Sequence, residues 1–410
     1  MLSRALCVGL VATACYAVGK AIPEPYMDEI FHIPQAQRYF LGNFKAWDPK
    51  ITTPPGLYYV GYIASQAVQS ASVPVLRSVN GIGLFLGAHL VSNILERRDL
   101  FYLLMTFPLL AFYAPLYYTD VWASMVALIG ISFTLRGRHF CSAFALLFSL
   151  LFRQTNVVWA MFAGALAVSG VRMPKRASQR DDLVSQLWEC VDSLQQPSRY
   201  LPYFCVGLLF AAFVKVNGGI TLGDADNHTV SFNLPQLFYF ALFLAFFSVP
   251  LILTNPWPRS YLKRLGSTVG LVFSAIEAAL IGLTVEKCTI VHPFVLADNR
   301  HYVFYLWRRI LHPPQAASLQ FAIVPVYQAC LAWLRYNLSA RVEHIAYWGA
   351  ALLALIPSPL LEPRYYAMPY LVWRIVLVPK RVMLYEVLWY ITIDIITWTV
   401  FCRSSTHFMW

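Results

Sequence analysis

Of the 410 residues, 59% are hydrophobic, 16% aromatic and only 12% charged, and the mean hydropathy is +0.56. A water-soluble domain of that length does not carry so much apolar surface, and the apolar runs are continuous and not alternating; this argues against a β-barrel and predicts an all-α polytopic membrane protein. The net charge of +11 sits mainly in short loops between apolar runs, which fits the positive-inside rule and not a nucleic-acid surface.

The first segment, 2–19, carries Arg4 ahead of its apolar run and lacks a small-residue cleavage site before Pro23, so an uncleaved spanning helix is expected. Arg4 then puts the N-terminal side in the cytoplasm and the following polar stretch in the lumen. That stretch, 21–56, is read as the first lumenal loop. Within it Pro34 is expected to break a helix continuing from Asp28, with a new helix starting near it and carrying Gln35, Arg38 and Tyr39. Thr53-Pro54-Pro55-Gly56 reads as an N-cap before a helix over 57–68 that lies along the interface. Spanning candidates follow at 79–95, 100–118, 121–135, 140–152, 157–171, 201–216, 234–253, 268–285, 317–334, 345–356 and 383–401, with shorter apolar pieces near 302–311 and 365–378. The expectation is one membrane domain over 1–410 with roughly 12 to 14 spans, counted on helix-length apolar runs.

The loop at 96–99, the pair Arg136 and Arg138, the 172–199 linker and 258–264 are basic or mixed and are placed in the cytoplasm; 119–120, 153–156, 218–233 and 286–301 are then lumenal. Eight cysteines are scattered, mostly in apolar segments, with no metal spacing, and read as small buried residues. Of two glycosylation sequons, at Asn227 and Asn337, only the first falls in an expected lumenal loop. No internal repeat points to a transporter, and no P-loop, GxSxG, HExxH or Rossmann pattern occurs.

Three polar clusters stand against this apolar background. The strongest is Asp28-Glu29 with His32, followed in the same loop by Trp47-Asp48-Pro49-Lys50. A carboxylate pair beside a membrane supplies a general base, a metal ligand or a partner for a structural Arg. On spacing alone, a solvated loop with capping acids accounts for it equally well. The second cluster runs from His292 through Asp298, Asn299, Arg300, His301 and Tyr302 to Arg308 and Arg309. Its Arg and His donors suit a phosphate or pyrophosphate headgroup, and an interfacial belt of aromatics and Arg is the plainer reading. The third is Glu362-Pro363-Arg364-Tyr365-Tyr366, where Arg364 either pairs with Glu362 or binds an anion. Tyr118-Thr119-Asp120 and Arg153-Gln154-Thr155-Asn156 read as helix caps. Glu277, Asp394 and His89, inside apolar runs, read as interhelical hydrogen-bonding residues.

These residues carry a resemblance. The runs Met27-Asp28-Glu29-Ile30-Phe31-His32-Ile33-Pro34-Gln35-Ala36-Gln37 and Trp47-Asp48-Pro49-Lys50-Ile51-Thr52-Thr53-Pro54-Pro55-Gly56-Leu57-Tyr58 resemble the dolichyl-phosphate-glucose alpha-1,2-glucosyltransferase family of the endoplasmic reticulum. His292-Pro293-Phe294, Ala297 to Tyr302, Glu362 to Tyr366 and Phe408-Met409-Trp410 are similar to its later motifs. The likeness runs from the first loop to the end of the chain, except over 172–199.

The resemblance implies a GT-C type glycosyltransferase of the endoplasmic reticulum membrane with its site facing the lumen. It implies transfer of the last glucose from dolichyl phosphate glucose to the diglucosylated dolichol-diphosphate-linked oligosaccharide. In this type the first lumenal loop carries the catalytic acid, here the position of Asp28 with Glu29 beside it. A β-linked donor and an α-linked product require inversion by single displacement, and so one base to take the acceptor proton. Asp28 is assigned that role, with Glu29 as runner-up or as an acceptor-orienting group. Arg300, His301 and Arg364 are the candidates for the leaving phosphate, with Lys50 and Arg308 behind them. Trp47, Tyr58 and Tyr365 suit sugar faces; His32, Asp48, His292, Asp298, Asn299 and Glu362 complete the expected substrate contacts. No cofactor or metal is expected, because the donor is a monophosphate. Other readings are a membrane transporter or channel-associated protein, whose polar groups belong at broken helices near the midplane, and a non-catalytic paralogue of the same fold.

Overall fold

The computed structural model describes residues 4–173, 183–224, 230–313 and 317–410. It is all-α: among the described residues the one β-pairing is an isolated parallel bridge between His301 and Met409. In lipid every backbone N–H and C=O must be satisfied within its own segment, so apolar runs of this length become helices.

Five described helices are long and apolar enough to cross a membrane: Arg4–Ala21, Val73–Ile94, Pro197–Asn217, Thr268–Cys288 and Leu384–Arg403. Shorter apolar helices are Asp120–Leu135, His139–Ser149, Asn156–Val168, Gln236–Phe247 and Val342–Leu355. The run at 100–118 is not one span. It divides into Asp99–Thr106 and Pro108–Tyr113, because Pro108 holds Phe107 extended (φ −66°, ψ 118°). The 172–199 segment contains the helix Leu183–Ser193, and the Asn227 sequon lies outside the described residues.

The chain divides into two compact units. The first is Met1–His228 with Ala340–Ala350, the second Thr229–Ser339 with Ala351–Trp410. At the centre of the first lies Asp120–Leu135, buried on almost every face and packed by Val73–Ile94, His139–Ser149 and Asn156–Val168. Gly87 permits the closest of these approaches, since a Cβ there would stand 2.5 Å from Met125 Cβ. In the second unit Gln236–Phe247 packs on Val324–Tyr336, which also meets Thr268–Cys288.

The intramembrane polar residues mostly find partners. Glu277 pairs with Arg335 and accepts from Gln328 Nε2 at 3.3 Å. His89 meets Arg4 and Asn93. Asp394 differs from the expectation, for its Oδ1 is buried with no hydrogen-bond partner, and nothing in the structure explains it.

Candidate active site

In the first unit the site is built on the helix Glu29–Phe40. Contrary to the sequence reading, this helix does not begin near Pro34 but runs through it. The bond that Pro34 forgoes is the one to the carbonyl of Ile30, an exposed residue. Met27, just before the helix, is held in the left-handed region at φ 54°, a conformation costing a Cβ-bearing residue about 1 kcal/mol. That turn sends the neighbouring carboxylates to opposite fates.

Glu29 is fully buried. Its Oε2 accepts from the Tyr26 backbone N–H at 3.0 Å and its Oε1 from the Tyr117 N–H at 2.7 Å. Arg77, itself 3% exposed, donates to it from Nε at 2.9 Å and from Nη2 at 2.6 Å. The same guanidinium donates to the carbonyls of Ile22 and Glu24 at 2.6 and 2.9 Å. Both Glu29 oxygens are therefore committed, and the pair ties the segment after the first span to the helix Val73–Ile94. A charge so enclosed persists in a low-dielectric site only because each lone pair and N–H has its partner. For Glu29, expected as runner-up base or as an acceptor-orienting group, the geometry shows an anchor's arrangement, with both oxygens held within the fold.

Asp28 is half-buried. It occupies the N-cap position, yet its carboxylate makes no capping bond. Its backbone N–H donates to Tyr118 Oη at 3.1 Å. One helical turn on, His32 Nδ1 and Tyr58 Oη share a hydrogen bond of 2.7 Å, and the His32 ring meets Tyr118 edge-on at 6.2 Å. Burial pushes the Tyr58 phenol well above its ordinary pKa, so it stays an O–H at physiological pH. Asp28, His32, Tyr58 and Tyr118 thus form one polar and aromatic cluster.

The rest of the loop is pinned around this cluster. Gln35 Nε2 donates to the Ala46 carbonyl at 2.6 Å, and its Oε1 accepts from Asp48 N–H at 3.2 Å. Trp47 meets Tyr58 edge-on at 5.7 Å, with its Nε1 buried and without a hydrogen-bond partner. Asp48 Oδ1 accepts from the Lys50 N–H at 3.0 Å, a local turn bond. Lys50 is exposed, its ammonium 5.2 Å from the Phe31 ring centre.

Thr53 does not cap the next helix. That helix is Gly56–Val68 with Pro55 at its N-cap, and the Thr53 hydroxyl is buried and unpartnered. What starts it is an approach only glycine allows: Gly56 N–H donates to the Leu151 carbonyl at 2.8 Å, and a Cβ there would lie 2.5 Å from that oxygen. The two short motifs read as caps come together here, since Arg153 pairs with Asp120 at 2.8 Å. Gln154 Nε2 donates to the Thr52 carbonyl at 2.7 Å. Beside them an apolar groove of about 590 Å³ opens between Pro54, Pro55, Phe148, Leu151, Phe210 and Phe213, with Gln154 at its rim.

In the second unit the expected anion-binding residues are present, each with a local partner. Arg300 makes a bidentate pair with Asp298, Nε to Oδ1 at 2.9 Å and Nη2 to Oδ2 at 2.6 Å. Arg300's donated hydrogen bonds hold the Asp298 carboxyl below its usual pKa range. Asn299 is exposed in the same turn. His301 Nδ1 and the Trp410 carbonyl lie 3.1 Å apart. His292 caps the helix Pro293–Ala297, its Nδ1 accepting from Phe294 N–H at 3.2 Å. Arg364 pairs with Glu362, with the half-buried Tyr365 next along the chain. Arg308 is exposed, 5.4 Å from the Phe304 ring centre.

Arg77 was not identified from sequence, whereas Gln35 and Tyr118 were read only as a helix residue and as part of a cap motif. The signal for Arg77 was a cation close to the start of an apolar run, where ionisable groups are costly and therefore paired. Among the described residues no three His, Cys, Asp or Glu side chains come together in a group able to hold a metal ion.

The model of the DIE2/ALG10 family matches residues 22–375. This chain belongs to that family. Its relatives include a Yarrowia lipolytica protein, 34% identical over 92% of this chain and 89% of its own. A human relative is 32% identical over 98% and 95% of the two chains, and one from Arabidopsis thaliana 32% identical over 86% of each. All three are named Dol-P-Glc:Glc(2)Man(9)GlcNAc(2)-PP-Dol alpha-1,2-glucosyltransferase. No solved structure matches this chain. The family match covers both units, including the Asp28 loop and the Arg300 and Arg364 motifs.

Proposed function

We propose that this protein is an inverting glucosyltransferase of the endoplasmic reticulum membrane, facing the lumen. It moves glucose from dolichyl phosphate glucose to the diglucosylated dolichol-diphosphate-linked oligosaccharide in an α-1,2 bond. The names of its relatives support the substrates. The mechanism rests on one observation: of two adjacent carboxylates, Glu29 is buried and committed to Arg77 while Asp28 is half-exposed and does not cap its helix.

In the proposed step the acceptor 2-hydroxyl oxygen attacks the anomeric carbon as its proton passes to Asp28. The bond from that carbon to the phosphate oxygen breaks, and dolichyl phosphate leaves with the electron pair. A phosphate monoester is already a stable anion, so no general acid is required. Cations hold it instead, a role we assign to Arg300, His301 and Arg364, with Lys50 and Arg308 behind them. His32 and Tyr58 are proposed to orient the acceptor, and Trp47 and Tyr365 to face sugar rings.

The groove beside Pro54 and Pro55 is proposed to take the prenyl chain of the donor. The acceptor's reacting end is separated from its own lipid by the whole glycan, whereas the donor's reacting carbon is one phosphate away. A groove next to the catalytic loop therefore suits the donor. Leu151→Trp, filling it, should raise the KM for dolichyl phosphate glucose about 10-fold, with little change for a short-chain citronellyl donor; equal effects on both would reject the groove.

The function is tested with purified protein, synthetic dolichyl phosphate glucose or mannose, and a diglucosylated or unglucosylated acceptor. Only the glucose donor with the diglucosylated acceptor should react, and the product bond should be α. Because a sugar monophosphate lacks the diphosphate that recruits a divalent ion, turnover should persist in EDTA. Loss with EDTA and rescue by a divalent ion would overturn the metal-independent mechanism.

A further inference from the structure

After the helix Leu384–Arg403 the chain turns back through His407, which sits in the left-handed region at φ 51° with its Nδ1 2.7 Å from the Phe401 carbonyl. Residues 408–410 then lie parallel to 300–302. Met409 N–H donates to the Arg300 carbonyl at 2.8 Å, and Tyr302 N–H donates to the Met409 carbonyl at 2.9 Å. An isolated bridge of two backbone bonds is marginal by itself, and here aromatic rings close over it. Phe408 meets Tyr305 edge-on at 5.5 Å, while Trp410 meets Tyr302 at 5.4 Å and Phe247 at 6.0 Å.

We infer that residues 408–410 are a positioning element for the anion-binding turn, holding Arg300 and His301 in place before the donor arrives. The argument rests on the phosphate role proposed above for that turn. The Arg300 main chain is tied to Met409, its guanidinium is braced by Asp298, and the His301 ring is set against the Trp410 carbonyl. Side chains ordered in advance lose less entropy when they bind. Residues 408–410 touch the turn and not the substrate, so their effect falls on donor affinity and not on the chemical step.

Met409→Pro removes the N–H that the Arg300 carbonyl accepts; Met409→Leu keeps it. In the full-length protein in lipid nanodiscs, Met409→Pro should speed amide exchange at Tyr302 at least ~10-fold, as expected for a lost backbone pairing. Exchange in the helix Gln236–Phe247 should be unchanged. The same variant should raise the donor KM about 10-fold with kcat nearly constant, and Met409→Leu should match the wild type in both. Arg300→Ala is run alongside. If Arg300→Ala raises the donor KM while Met409→Pro alters neither exchange nor KM, the positioning role is overturned. If Arg300→Ala leaves the donor KM unchanged, the phosphate role of the turn is overturned instead, whatever the exchange shows.

Discussion

Asp28→Asn is expected to lower turnover by about 10²–10⁴-fold, the contribution of one positioned general base, while the protein still inserts and folds. The carboxylate does not cap its own helix and is not part of the Glu29–Arg77 pair, so the isosteric amide removes the proton acceptor while leaving that cap position and that pair as they are. The check is single-turnover transfer by the purified variant beside its thermal unfolding midpoint. A midpoint near wild type with lost chemistry is the expected pairing. If Glu29→Gln eliminates transfer with an unchanged midpoint while Asp28→Asn retains it, the base has been misassigned by one residue.

Arg77→Met has the largest expected effect on stability. It leaves the Glu29 carboxylate buried at 0% exposure without its counter-ion, a change costing about 3–5 kcal/mol. It also releases the carbonyls of Ile22 and Glu24, which loosens the turn that aims Asp28. The measurement is the unfolding midpoint in nanodiscs, with expression level beside it. The double variant Arg77→Met/Glu29→Leu should recover part of the lost stability, because the uncompensated charge is gone. It should not recover activity, because the Tyr26 and Tyr117 N–H groups lose the acceptor that shaped the turn. A single variant as stable as wild type would show that the pair contributes nothing net to the fold.

The membrane body was legible because it depends on local composition, and most expected apolar runs became helices within a few residues. The Pro34 break and the Thr53 cap were misread for a shared reason. Local rules assign Pro a boundary and Thr a cap, but tertiary contacts outweighed both. The buried Glu29 draws the helix start back to residue 29, and the Gly56 approach to Leu151 sets the next helix without Thr53. The two short motifs dismissed as caps were joined by the Asp120–Arg153 pair, 33 positions apart, a relation no window of sequence contains. In the second unit the cations, Asp298 and Trp410 were all noted in the sequence, whereas the pairing of Arg300 with Asp298 and of His301 with Trp410 became visible only in the fold.

The amino-acid sequence by itself determined that this is a helical membrane protein, and it placed two adjacent carboxylates in the first polar loop. Those are consequences of local composition and order. It left open which carboxylate does what. Only the tertiary structure gave the two different surroundings, by bringing Arg77 from 48 positions away to enclose Glu29 while Asp28 stays half-buried. A carboxylate becomes an anchor or an accessible base according to the groups that surround it, and here the fold chose those groups.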